Sequence, residues 1–279
     1  MNVSEIMVKD PVVAELPTTR EDVLSNLVKH KRTGMPVVDS EGKVLGIITR
    51  KNIFENPGEE QVAVIMEWDV PTISPSASVE KAARMMWEQD VRRLPVVKKN
   101  ELVGLLTPSD LLKVVEKNKV AKPVEEFVSK PTVCIYKSTP TNVAATMINL
   151  SKVYALPVLD DESRLCGLVT DRDLFDFKFL GENITLTTLG ISEDEDSWTW
   201  EGLRNVMNLY YQEAKIQLPT DPIEKFMSLK VSTVYRLAPA WEAAKIMRMN
   251  DFDQIPVVDK EDNLSSMIYD MDLMRSLFE

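Results

Sequence analysis

The chain has 279 residues, 44% of them apolar and 28% charged, a globular balance with enough length for two ordinary domains or one repeat-built body. Its net charge of −11 argues against wrapping DNA or RNA, which needs a cationic face. No apolar run approaches the roughly 20 residues that span a bilayer, and the first residues read as no export leader, so a cytoplasmic protein is expected.

One phrase recurs along the chain. The first copy has a helix near Arg20–Lys31, then the strand Met35-Pro36-Val37-Val38-Asp39, a turn at Ser40-Glu41-Gly42-Lys43, and a second strand ending at Thr49, with Asn52 three residues on. The second has an extended lead-in, Val70-Pro71-Thr72-Ile73, and Ser78 as the cap of a helix whose apolar positions Val79, Ala82, Ala83 and Met86 share one face. The strand Leu94-Pro95-Val96-Val97 follows, then a turn at Lys98–Glu101, a strand from Leu102 to Thr107, and a helix from about Ser109 to Val115 carrying Asp110. In the third, Thr139-Pro140 marks a helix start with proline at the first helical position, and Leu156-Pro157-Val158-Leu159-Asp160 leads to Thr170 and Asp173. The fourth has Pro239 at its helix start, Ile255-Pro256-Val257-Val258-Asp259, and then Tyr269 and Asp272.

Each copy reads β-α-β-β-α. The marker prolines lie 59, 62 and 99 residues apart, so an insertion of roughly 37–40 residues interrupts the last interval. The expected domains are 1–56, 62–118, 123–178 and 219–279, with the insertion at 181–218. Units this small bury too little surface alone, so the first two copies are expected to share a core, and the last two another, with a seam near Glu116–Lys122.

The insertion holds the acidic run Ser192–Ser197, then Trp198, Trp200 and a helical pattern through Leu203, Val206, Met207, Tyr210 and Ala214 to about Ile216. Its aromatics, Tyr211 included, suit either a cover over an exposed face or a docking surface for another protein. Cys134 and Cys166 are too few for a disulfide framework and read as buried apolar residues. The single His30, beside Lys29, Lys31 and Arg32, supports neither a metal site nor a histidine-based dyad. No phosphate-binding glycine loop and no nucleophile–base pair is legible, which points away from an enzyme.

A Thr and an Asp three residues apart, where a strand enters a helix, admit two readings. The carboxylate can accept two hydrogen bonds from a ribose diol, with the hydroxyl and helix amides beside it for a phosphate. Equally, the pair can be a helix cap with a favourable first-turn charge. Both would repeat.

The four copies of a hydrophobic-Pro-Val-Val strand followed by a Gly-hydrophobic-hydrophobic-Thr-x-x-Asp strand resemble CBS domains. Two tandem pairs resemble the two Bateman modules of the gamma subunit of AMP-activated protein kinase and its stand-alone microbial counterparts. That resemblance implies an α/β (α+β) fold with the modules packed into a disc, and adenine nucleotides bound in clefts between paired domains. It assigns ribose and phosphate contacts to Thr107, Asp110, Thr170 and Asp173, which match the motif in full. Thr49 with Asn52 lacks the charge. Asp272 stands with Tyr269 in place of Thr and Ser266 in place of the glycine found at Gly46, Gly104 and Gly167, and a ring there lines the cleft or blocks it. Two good sites, one doubtful and one weak or empty are expected.

Basic residues precede the hydrophobic-Pro step in many nucleotide-binding relatives, which makes Arg92 and Arg93 phosphate candidates, with Arg50, Lys51 and Arg172 beside the motifs. Arg172 equally suits a surface carboxylate. The adenine would lie against Pro71, Thr72, Pro131, Thr132, Leu94 and Leu156. Cations are few, so AMP or an S-adenosyl or methylthio nucleoside competes with ADP and ATP as the ligand. The resemblance implies no required cofactor. It implies a non-catalytic regulator read by an unidentified target protein, with homodimerisation plausible, or a scaffold that no longer binds ligand.

Overall fold

The recurring proline sits where a missing N–H does no harm. In the computed structural model the Ile73 N–H donates to the Pro95 carbonyl at 3.0 Å, and the Val97 N–H donates to the Ile73 carbonyl at 2.8 Å. The parallel lead-in therefore begins to pair just past the side of Pro95 that carries no hydrogen, the edge-like position a strand proline requires. The structure describes residues 1–30, 32–56, 58–170, 173 and 220–279. Lys31, Arg172 and the inserted 181–218 segment, with its tryptophans and expected helix, lie outside the described residues.

Each copy centres on an antiparallel hairpin: β3 (Gly34–Val38) with β4 (Val44–Thr49), β6 (Leu94–Lys98) with β7 (Glu101–Leu106), β9 (Ala155–Leu159) with β10 (Leu165–Thr170), and β12 (Gln254–Val258) with β13 (Leu264–Tyr269). Short parallel lead-ins join three of them: β2 (Ala14–Glu15), β8 (Ile135–Tyr136) and β11 (Val234–Tyr235). The aspartate closing the recurring strand caps its turn. Oδ1 of Asp39, Asp160 and Asp259 accepts the N–H groups two and four residues on, at 2.8–3.0 Å. The second copy has Lys98 instead and turns tightly through Lys99 and Asn100, at φ 52 and 69.

The helices α1 (Arg20–Lys29), α4 (Val79–Glu88), α6 (Thr141–Ser151) and α7 (Ala240–Asn250) lie between lead-in and hairpin. Pro140 and Pro239 are N-caps rather than first helical residues, with ψ 140 and 144. Their carbonyls already accept helical N–H groups from Val143, Ala144 and Glu242.

Copies exchange backbone at their edges. β1 (Val8–Lys9) pairs with β7, and β5 (Glu67–Trp68) pairs with β4. Leu168 and Ser228 exchange both backbone hydrogen bonds, at 2.9 and 3.1 Å. Glycine permits these approaches. A Cβ on Gly46 would lie 2.0 Å from the Glu67 carbonyl oxygen, and one on Gly104 or Gly167 2.5 or 2.3 Å from Met7 or Met227 Sδ. In the fourth copy, where Ser266 stands in the glycine position, no such strand pairs among the described residues. Met267 N–H donates instead to Thr132 Oγ1, at 2.9 Å.

The chain forms two compact units, Met1–Val120 with Asp270–Glu279, and Ala121–Tyr269. The expected pairing of the last two copies is thus corrected at one element. Helix α8 (Asp270–Met274) leaves the fourth copy and packs on α4 and α5 (Pro108–Lys117) of the second. Its Met271 and Met274 bury in a core with Val79, Met86, Leu94 and Leu111, and that apolar burial is the physical reason. The other unit has its own core around Ile135, Ile148, Leu156, Val158, Val169 and Ile223.

Two predictions follow from these contacts. Gly46→Ala should destabilise by about 2 kcal/mol or more in urea unfolding, as overpacking against rigid backbone does, while Gly58→Ala, with nothing within 4 Å of its Cβ, serves as the neutral control. The turn N–H of Asn263, with the Asn263 side chain and the Glu261 N–H, holds Asp259 below the ordinary carboxylate range. Its stabilisation is complete above the unfolded value, about 3.9, and is lost as pH falls through the lowered folded value. Asp259→Ala should therefore flatten the acid arm of Tm against pH.

Candidate functional site

The Thr-x-x-Asp residues close capping boxes at the strand–helix junctions. In the second copy Asp110 Oδ2 accepts from Thr107 N–H at 3.1 Å and from Thr107 Oγ1 at 2.8 Å. In the third, Asp173 Oδ2 accepts from Thr170 N–H at 2.8 Å and Oγ1 at 2.7 Å, and Asp173 N–H donates to Thr170 Oγ1 at 3.2 Å. In the first, Asn52 Oδ1 makes the same closure on Thr49 above α2 (Arg50–Glu55). One oxygen is committed to the cap every time. What distinguishes the copies is the other end of the side chain.

Asn52 Nδ2 donates to Glu67 at 3.2 Å. Asp110 Oδ1 accepts from Lys113 Nζ at 2.9 Å, and Asp110 is 2% exposed. Among the described residues, Asp173 Oδ1 takes a long contact from Ser228 Oγ, at 3.5 Å, and the residue is part-exposed. A ribose diol needs an available carboxylate oxygen, so the third copy has the most accessible one and the second holds its own under a lysine.

In the fourth copy both motif residues are buried. Tyr269 is 5% exposed and packs with Ala155, Met267 and Leu168, with Lys130 Nζ 5.7 Å from the ring centroid. Asp272 is 1% exposed. The ring fills space rather than lining an open cleft.

Two of the expected phosphate ligands are engaged elsewhere. Arg92 makes a two-pronged pair with Asp270, at 2.9 and 2.7 Å. Arg93 donates to Thr33 Oγ1 and lies over Gly34, where a Cβ would come within 2.8 Å of its Nε. Arg50 is half-buried and Lys51 exposed in the first turn of α2. Of the expected adenine pocket, Pro71 and Thr132 are part-exposed and Thr72 and Pro131 exposed. Leu94 and Leu156 correct that expectation: neither has exposed surface, because each faces the core of its own unit. Burial raises the thiols of Cys134 and Cys166 above their ordinary values.

Lys113, Ser228, Glu67 and Asp270 were not legible as site residues in the sequence. Lys113 alone left a local signal, standing three residues after Asp110 on one helix face.

The CBS domain family model matches residues 3–59, 62–117, 124–179 and 223–279. The chain belongs to the CBS-domain family and carries four such domains. An uncharacterized conserved protein of Pyrococcus horikoshii superposes over 99% of this chain and 100% of its own, with a TM-score of 0.70 and 27% identity. Protein MJ1225 of Methanocaldococcus jannaschii, described as a proposed archaeal homologue of g-AMPK, covers 99% of both chains with a TM-score of 0.73. At 23% identity that likeness shows a shared fold. Inosine-5'-monophosphate dehydrogenase of Methanocaldococcus jannaschii is 32% identical over 136 residues, which are 47% of this chain and 27% of the dehydrogenase. The chain therefore spans about a quarter of that relative's length. No helix among the described residues is long and apolar enough to cross a membrane.

Because Asp110 both closes a cap and lies buried, Asp110→Ala should cost about 1–2 kcal/mol in urea unfolding. Lys113→Ala, removing a half-exposed partner, should cost under about 1 kcal/mol.

Proposed function

We propose that the chain is a regulatory sensor, without catalysis of its own, that holds adenosine-type ligands against the Thr–Asp rims of its CBS domains. The observation that carries this reading is the part-exposed Asp173: its cap is complete through one oxygen, while the other meets, among the described residues, Ser228 Oγ at 3.5 Å. A carboxylate so poised suits the two hydroxyls of a ribose, and charge-assisted bonds are the stronger kind. The family's ligand class supports the adenosine moiety, and the second copy offers a weaker site once Lys113 is displaced.

The engagement of two candidate phosphate ligands favours a ligand with little or no phosphate. Arg92 and Arg93 are engaged by Asp270 and Thr33, so S-adenosylmethionine, methylthioadenosine and AMP should bind ahead of ATP. Ligand binding would favour one arrangement of the domains, and a target protein would read the change. Such coupling requires different affinity in the two arrangements. The non-catalytic part of the reading is supported by the lack of a legible nucleophile–base pair in the sequence.

Calorimetric titration of AMP, ATP, S-adenosylmethionine and methylthioadenosine tests the proposal. Saturable binding by at least one, weakened tenfold or more in Asp173→Asn, whose amide oxygen can keep the cap as Asn52 does in the first copy, is the expected result. No saturable binding by any of them refutes it.

A further inference from the structure

The two units differ where a hairpin turn meets the neighbouring copy. In the first unit backbone closes the gap. Leu102 N–H donates to the Gly42 carbonyl at 3.1 Å, and Lys43 bridges to Glu101. Counted from the recurring Val-Val-Asp and the recurring glycine, the matching positions in the second unit are Asp262 and Leu165. No backbone hydrogen bond joins them among the described residues. A cavity of about 370 Å³ lies there instead, walled also by Cys166, Leu229, Val231, Thr233 and Val258. It shares no residue with the Thr–Asp rims. Its volume falls in the range of small-molecule sites.

The cavity walls depart from the first unit in a consistent way. Leu229 stands where the first unit has the exposed Lys9, Thr233 where it has Val13, and Asp262 where it has Gly42. Leu229 is itself 71% exposed, so an apolar side chain replaces a charge on the surface, while a hydroxyl and a carboxylate replace nonpolar groups. Neither the Thr233 hydroxyl nor the Asp262 carboxylate has a hydrogen bond or ion pair among the described residues. The turn that carries Asp262 is fixed. Its N–H donates to the Asp259 carbonyl at 3.2 Å, and the Asp259 carboxylate holds the N–H groups of Glu261 and Asn263 on either side.

No basic side chain lines the cavity. Lys260 pairs with Glu261, and Arg164 with Asp160 and Glu162. A phosphate here would meet a carboxylate with no lining cation to offset it, which sets the cavity apart from a nucleotide cleft. An ammonium group suits it. The carboxylate accepts a charge-assisted hydrogen bond, and the threonine hydroxyl can accept another N–H.

We propose that the second unit carries a further ligand site, for a small apolar amine, between β10 and the hairpin turn of the fourth copy. The apolar body lies against Leu165, Leu229, Val231 and Val258, and the ammonium meets Asp262. A bound amine thereby joins the turn to β10, as the bond between Leu102 and Gly42 does in the first unit. This site does not rest on the sensor reading.

Methyl NMR titration of the full chain with hexylamine tests it, with hexanol and hexanoate as matched probes at one ionic strength. Hexylamine should shift the Leu165, Leu229, Val231 and Val258 methyls saturably. It should bind more tightly than hexanol by a factor of about five or more, with hexanoate weaker still. Asp262→Asn, an exposed change to a residue that tolerates the φ of 61 at this position, should bring hexylamine down to the hexanol value. Leu229→Lys, which installs the first unit's residue, should weaken hexylamine by a similar factor. Absence of saturable shifts at these methyls overturns the proposal. So does equal binding of hexylamine and hexanoate, or hexylamine affinity unchanged in Asp262→Asn.

Discussion

The exchange of backbone between neighbouring copies is the constraint on which the rest depends. A hairpin with one or two helices leaves a sheet edge open and a face half covered. Here β1 closes the edge of the second copy and β5 that of the first, while Ser228 crosses to β10. Each approach is close enough that a methyl group at Gly46, Gly104 or Gly167 would collide with its neighbour. The recurring glycine is therefore a requirement of pairing between copies, and its position three residues before the Thr in the same strand places three of the rims beside backbone from the adjacent copy.

That placement gives the acidic residue two tasks. One oxygen ends the strand and starts the helix by closing the box on Thr107 or Thr170. The second is directed to a different partner in each, which is Lys113 of the same helix in the second copy and Ser228 of the adjacent copy in the third. The capping and ligand-holding readings of the motif are thus compatible rather than exclusive. The cap fixes the carboxylate rotamer without consuming both acceptors, and a rotamer already fixed loses less entropy when a ligand arrives.

The fold was legible because its signals are local. Hydrophobic-Pro-Val-Val strands, the glycine, and the hydroxyl–acid spacing all lie within a few residues and recur, so the repeat and the family could be read directly. What sequence withheld was partnership at a distance. Arg92 and Asp270 are separated by 178 residues, and Asp173 and Ser228 by 55. Leu94 and Leu156 illustrate a subtler limit: alternation along a strand tells which side chains share a face, but a strand enclosed on both faces gives no sign of which face meets a ligand. The departure of α8 from its own copy was hidden for the same reason, since Met271 and Met274 would read as core residues wherever they packed.

The departures of the fourth copy belong together. Ser266 removes the close backbone approach, and Thr132 then meets β13 through its hydroxyl instead. Tyr269, which stands where the other copies have Thr, fills the space beside Ala155 with an aromatic ring. Asp270, immediately after it, turns into the other unit and ties α8 to Arg92. Each change removes something a ligand rim needs and adds something that fixes packing: a side-chain bond, a buried ring, a sealed ion pair. A buried ion pair contributes little net stability over apolar packing of the same size. Its presence at the start of α8 therefore argues for specificity of docking, a helix that seats where a matching guanidinium waits.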